Sequence, residues 1–236
     1  MEYLYETHCH SSGCSACARS TPEEMVRAYH AKGFQGLILT NHFVKGNNCL
    51  PRELPWEQKM RRYWEEYLRA RDEGEKLDFD VFFGIEYYYG GGQEILTCGI
   101  DLGLLLAHPE FENCPVWEYT ARIHEAGGYL SWAHPFRAAP WIDRREHVRP
   151  ELVDALEVYN YCNREGQNEP ALELARARNL GMTAGTDAHW DTFEGIGQAG
   201  MIFSERIKTG AQLVEALRAR RGKLLMDGRA VDPRTV

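Results

Sequence analysis

The chain has 236 residues, inside the roughly 200–250 of one-domain α/β barrels, so residues 1–236 are read as a single domain. A composition of 44% hydrophobic and 26% charged residues excludes a disordered, collagen-like or repeat-dominated chain. With 27 Lys and Arg against 35 Asp and Glu, the formal charge of -8 argues against a broad nucleic-acid surface, so nucleic acid is not expected as a partner.

The opening residues MEYLYETHCH have neither the basic nor the apolar region of a signal peptide. No run approaches the about 18 apolar residues of a membrane helix, so a cytoplasmic protein without membrane contact is expected. A first strand is predicted over 3–7. Cys14 and Cys17 follow in CxxC spacing. No second CxxC or HxxxH pair exists to complete a four-ligand zinc site, so both are read as small packed or loop residues. The seven cysteines, an odd count, fit reduced thiols better than a disulfide framework.

A helix over 21–32 opens on a capping box of Thr21 and Glu24, with Pro22 in its first turn. After a strand over 36–40 comes the polar loop 43–55, with Lys45, Asn47, Asn48 and Arg52, which reads as a lid or as a surface excursion. The helix 56–76 carries a charged face over an apolar stripe and leads into a strand over 81–86. Residues 87–101, YYYGGG followed by QEILTCGID, read as a hairpin insertion beside the mouth of a barrel. Alternation there favours packing of Tyr87, Tyr88 and Tyr89 over stacking on a nucleobase. Further strands are predicted over 128–133, 154–159, 182–185 and 201–203, with helices over 116–126, 169–179 and 211–219. Gly33, Gly127 and Gly181 occupy C-cap positions. Seven strands alternating with helices are the signature of βα units and a parallel sheet.

Such barrels keep their active sites at the C-terminal strand ends, and histidines and carboxylates recur there. The first strand runs into His8-Cys9-His10, whose period-two spacing points both imidazoles to one side, able to grip one ion. His42 ends T-N-H, Glu86 ends G-I-E, His134 lies in A-H-P, and Asp187 and His189 lie in G-T-D-A-H. One histidine at a strand end is ordinarily structural. Seven such residues in five βα units point instead to a multinuclear metal site, and imidazole with carboxylate suits zinc, iron or manganese.

In order and spacing these motifs resemble the PHP domain shared by histidinol phosphatases and bacterial DNA polymerase subunits. The matches are H-C-H-S, T-N-H, G-I-E, A-H-P-F-R with Arg137, and G-T-D-A-H, while D-A-L-E-V-Y-N at 154–160 resembles the strand before the last ligand unit. The resemblance covers about residues 3 to 200. It implies a distorted (βα)7, TIM-like barrel, with two or three divalent ions (Zn, Mn or Fe) at the C-terminal strand ends, hydrolysing phosphate esters.

The sequence departs from the family in three places. Where the family has Asp or His five or six residues after HxH, Ser15 and Ala16 occur, so a third cation has only His42 and His189 unless a neighbouring cysteine completes its shell. Where the family's hairpin carries a histidine ligand, Glu94 occurs, with His108 as the competing candidate. Asn41 replaces the aspartate of T-D-H, removing a charge but no ligand.

The expected chemistry follows. Glu86 bridges two cations that lower the pKa of a shared water, the nucleophile. The cations and a guanidinium, Arg137 before Arg19, offset charge on the phosphoryl oxygens. Asp187 is the ligand expected to double as proton acceptor. The expected substrate is a small phosphate monoester or diester, with inorganic phosphate as product. Two alternatives are an amidohydrolase-like C–N hydrolase, disfavoured because no strand-end lysine offers a carboxylated bridge, and a regulatory module that keeps metals without turnover.

Overall fold

The structure, a computed structural model, describes residues 2–143 and 149–235. Its strands are β1 (Tyr3–Cys9), β2 (Gly36–Leu39), β3 (Asp80–Gly90), β4 (Gln93–Cys98), β5 (Tyr129–Ala133), β6 (Ala155–Asn160), β7 (Gly181–Gly185), β8 (Gly200–Phe203), β9 (Lys223–Met226) and β10 (Arg229–Val231). The helices are α1 (Pro22–Ala31), α2 (Trp56–Lys76), α3 (Leu102–Ala107), α4 (Val116–Glu125), α5 (Glu169–Ala177) and α6 (Gly210–Arg218). One sheet runs in the order β10-β9-β8-β1-β2-β3-β4-β5-β6-β7. It curls until the chain beyond β7 returns to β1: the Asp187 N–H donates to the His8 carbonyl at 2.8 Å and the His10 N–H to that of Ala188 at 2.9 Å.

This mixed α/β half-barrel departs from seven regular βα units. Parallel pairing holds for β1–β2, β2–β3, β5–β6 and β6–β7. The hairpin, read as an insertion, is instead a full member of the sheet, with β4 antiparallel to both β3 and β5. β8 runs antiparallel to β1, and β9 and β10 extend that edge as a hairpin.

Local chemistry explains the main elements. Thr21 and Glu24 form both bonds of the expected capping box, and Met25, Val26 and Tyr29 make the buried face of α1. The α2 helix buries Met60, Tyr63 and Ala70, while its other face carries ion pairs such as Arg61 with Glu57. Gly33 and Gly127 do take the positive φ of helix C-caps, +80° and +82°. Gly181 does not, because Asn179 adopts the left-handed conformation after α5 (φ 51°) and Gly181 begins β7. The interior is apolar and aromatic, with Trp132, Tyr5, Tyr63 and Tyr119 among its largest buried side chains. Among the described residues no helix is long and apolar enough to cross a membrane.

Candidate metal centre

The pairing of the sheet decides which side chains meet. His8 lies near the end of β1 with His10 two residues on; His42, beyond β2, forms a parallel bridge with Glu86 of β3. Glu94 of β4 pairs with Ala133 of β5, which puts it beside His134. Asp187 and His189 come from the segment that returns from β7 to β1. All eight residues of the expected ligand set therefore converge at one end of the curled sheet.

Glu86 is the hub. Its Oε1 lies 3.1 Å from His8 Nε2 and 3.1 Å from His134 Nε2, and its Oε2 lies 2.6 Å from His42 Nδ1 and 3.6 Å from His10 Nε2. Asp187 Oδ1 is 3.4 Å from His8 Nε2 and 3.2 Å from His10 Nε2. Glu94 reaches His42 Nδ1 at 3.3 Å and His134 Nε2 at 3.6 Å. His108 is not part of the cluster: it bonds Glu110 at 2.7 Å and stacks on Phe111. The structure thus brings Glu94, and not its competitor, to the centre.

Buried polar atoms are normally hydrogen-bonded. Here His8 Nε2, His10 Nε2, His42 Nδ1 and Glu86 Oε2 are buried without a hydrogen bond. Four overlapping trios have donor atoms within 4.8 Å of one another: His8, His10 and Asp187; His8, Glu86 and His134; His42, Glu86 and Glu94; and His10, His42 and His189. Buried nitrogen and oxygen donors that converge without hydrogen bonds are the arrangement a borderline divalent cation such as Zn²⁺ requires, so these residues fit the metals the sequence implies. Two of them hold left-handed backbone that is uncommon outside glycine, His134 at φ 31° and Asp187 at φ 59°, strain of the kind that collects at functional sites.

Electrostatics follow the same geometry. Burial pushes the Glu86 carboxyl up, but the imidazoles of His42, His8 and His134 outweigh it and hold the carboxyl well below its ordinary range. Burial likewise raises Asp187, and His8 with Arg137 overrides it, so Asp187 too is ionised. Burial, then the neighbouring His189 and His42, drives His10 well below the usual imidazole value, toward the neutral form that binds metal.

The sequence reading leaves Glu157 and Cys17 unassigned. Glu157, in β6, accepts from the His134 N–H at 2.8 Å and lies 2.9 Å from His8 Nδ1, fixing which nitrogen of His8 faces Glu86. A lone carboxylate in the apolar run A-L-E-V-Y was its signal. Cys17 was read as a small loop residue; its thiol instead contacts the His189 and His42 side chains. Burial raises it, but those contacts bring it down to about 6. Its CxxC partner Cys14 is packed in the core, as expected.

Above the cluster lies a cavity of 510 Å³, whose lining includes Lys45, Asn47, Tyr88, Arg137 and Trp141. Ligand pockets commonly measure about 300–1,000 Å³. A larger cavity of 1160 Å³ lies elsewhere, between α2, α3 and α6, away from the ligand cluster. The loop 43–55 thus contributes Lys45 and Asn47 to the cavity, whereas Arg52 stays outside. Of the three tyrosines, Tyr87 stacks on Tyr119 at 3.6 Å, Tyr89 meets Trp132 edge to face, and Tyr88 faces the cavity. Arg137 reaches the site through Asp187 Oδ2 at 2.7 Å, with Asn163 and Asn160 holding its other nitrogens at 2.9 Å. Arg19 does not line the cavity and sits over the Trp190 ring at 5.2 Å.

Comparison with known proteins bears on the fold. The family model described as PHP-associated matches residues 165–221. No curated protein matches the sequence. Among solved structures, a two-domain protein from Bacteroides vulgatus, said to contain a PHP-like metal-dependent phosphoesterase, superposes with a TM-score of 0.69 at 18% identity. That match covers 98% of this chain, and this chain spans 66% of that one. A protein from Bifidobacterium adolescentis assigned as a metal-dependent phosphoesterase gives 0.56 at 15% identity, over 92% of this chain and 96% of the other. A lesion-specific endonuclease from Pyrococcus furiosus gives 0.65 at 14% identity, over 93% and 56%. At such identities the likeness speaks for the fold.

Proposed function

We propose that the chain is a PHP-type metal-dependent hydrolase of small phosphate monoesters or diesters, a reading supported by the PHP-associated match over residues 165–221 and by the likeness in fold to metal-dependent phosphoesterases. The observation that carries this reading is the set of buried, converging donor atoms on His8, His10, His42 and Glu86 that make no hydrogen bond, beside a cavity that Arg137 and Lys45 also line. His8, His10, His42, Glu86, Glu94, His134, Asp187 and His189 would hold two or three divalent ions, zinc, manganese or iron. Such ions, when bound, supply an acidified water as nucleophile and a Lewis acid for the phosphoryl oxygens.

The protein's own groups do the rest. A guanidinium has five N–H donors; Arg137 engages Asp187, Asn160 and Asn163 with three, leaving two for a phosphate oxygen. Lys45, which also lines the cavity, offers a second positive charge. Asp187, kept ionised, presents Oδ1 to the cluster and is assigned to accept the proton of the attacking water. Glu86, shared by two of the candidate trios, would hold two ions at once. Residues 1–236 act as one catalytic domain in this reading.

A nuclease is the second reading, favoured by the likeness to the Pyrococcus endonuclease and opposed by the acidic charge. Metal analysis followed by a hydrolysis screen, read as phosphate release from monoesters and as monoester product from cyclic nucleotides and nucleotide diesters, with duplex DNA cleavage in parallel, separates the two. Release from small esters supports the proposal. Cleavage of DNA alone, or no turnover with metals bound, refutes it.

A further inference from the structure

The trio His10, His42 and His189 has ring nitrogens within 4.8 Å of one another but no carboxylate of its own. Its imidazoles are set for donation. His189 Nδ1 lies 2.7 Å from the Asp187 carbonyl, so that nitrogen carries the proton and Nε2 is left as the donor atom. His10 Nδ1 is taken by the Ser15 hydroxyl at 3.1 Å, while His10 Nε2 is buried and without a hydrogen bond.

The first loop decides what completes this trio. Ser15 is committed elsewhere: its hydroxyl also donates to Asn41 Oδ1 at 2.9 Å and accepts from the His42 N–H at 3.0 Å. Ala16 has no side-chain donor atom. Cys17 comes next, and the chain is pinned on both sides of it. The Ala16 N–H donates to the Asn47 carbonyl at 2.8 Å, and the Arg19 N–H to the carbonyl of His189 at 2.8 Å. These bonds hold Cys17 in the wall of the cavity that His42 and His189 also line.

We propose that Cys17 is a metal ligand that completes, with His42 and His189, a separate cation site selective for a thiophilic ion such as zinc over magnesium or manganese. Thiolate with imidazole is a soft donor set, whereas the Glu86 sites nearby mix imidazole with carboxylate. The inference rests on the metal-binding reading of the cluster and adds to it a ligand and a selectivity.

Cobalt(II) tests it, because a thiolate bound to cobalt gives an intense near-ultraviolet charge-transfer band that nitrogen and oxygen ligands do not. The purified full chain, stripped of metal and titrated with cobalt, should develop that band and saturate it with one equivalent. Cys17→Ser should lose the band and one equivalent of bound cobalt, retaining the rest. Cys17→Asp should keep the full equivalents without the band. Excess magnesium should not displace the ion that gives the band. Binding without the band would overturn the assignment of Cys17 and leave the Glu86 sites standing. So would a band that survives in Cys17→Ser and disappears in Cys162→Ser, whose thiol lies against the Asp187 carbonyl. No cobalt binding at all would overturn this inference and the metal reading together.

Discussion

Glu157 Oε1 lies 2.9 Å from His8 Nδ1, on the far side of the ring from Glu86, which His8 Nε2 faces at 3.1 Å. The same carboxylate accepts from the His134 N–H through Oε2. One buried group therefore orients two ligand-bearing segments, although it faces no candidate cation itself. Glu157→Gln keeps the shape but removes the charge that fixes the tautomer. Changes of this kind cost about 10–100-fold in metal affinity. Competition with a chromophoric chelator should show such a loss, with little change in KM for metal-saturated enzyme. Unaltered retention of metal would assign Glu157 to packing alone.

Arg137→Ala should raise KM for phosphate esters and weaken inhibition by inorganic phosphate. A hydrogen bond to a charged group is worth about 1.5–3 kcal/mol, or roughly 10- to 100-fold. Because Arg137 also holds Asp187, metal content should be measured on the same sample. Unchanged phosphate inhibition would remove the guanidinium from substrate binding.

Gly185→Ala probes the tight packing where β7 meets β1. A Cβ at Gly185 would stand 2.6 Å from His8 Cβ and 2.9 Å from Glu157 Oε1. Neither neighbour can retreat without moving the metal cluster. Overpacking of this kind costs about 1–3 kcal/mol, and thermal unfolding should show the loss together with weaker metal retention. A variant with native melting and metal content would contradict the packing described here.

Thr21→Ala supplies the control. It removes the capping bonds of α1 on the outer layer and should cost about 1 kcal/mol, read by urea unfolding. Metal content should stay unchanged. A loss of metal would mean that the loop before α1 depends on the cap.

The candidate ligands were legible because each stands in a short motif at a strand end, and a strand end is read from hydrophobic pattern and length. His8, His10, His42, Glu86, His134, Asp187 and His189 needed no knowledge of strand order. Glu94 was harder, since its place depends on β4 lying between β3 and β5, a pairing that the glycines at 90–92 obscure. Glu157 was missed, and Cys17 was read as a small packed or loop residue, because what surrounds them in the fold comes from segments distant in sequence. The β9–β10 hairpin did have a local signal. Asp227-Gly228, with φ of 48° and 68°, separates two short apolar runs as hairpin turns do. The short α3, capped by Asp101, lay hidden in an apolar run that does not separate helix from strand.

The central claim is that this cluster binds divalent cations and uses them to hydrolyse phosphate esters. The most direct measurement is hydrolysis of a panel of small phosphate monoesters and diesters, followed as release of phosphate or of the monoester product, before chelation, after chelation, and after reloading with zinc, manganese or iron(II), with the melting temperature followed throughout. Ions that bind only the native state stabilise it, so chelation should abolish release and lower the melting temperature together, and reloading should restore both. Turnover that persists after complete removal of metal would contradict the account.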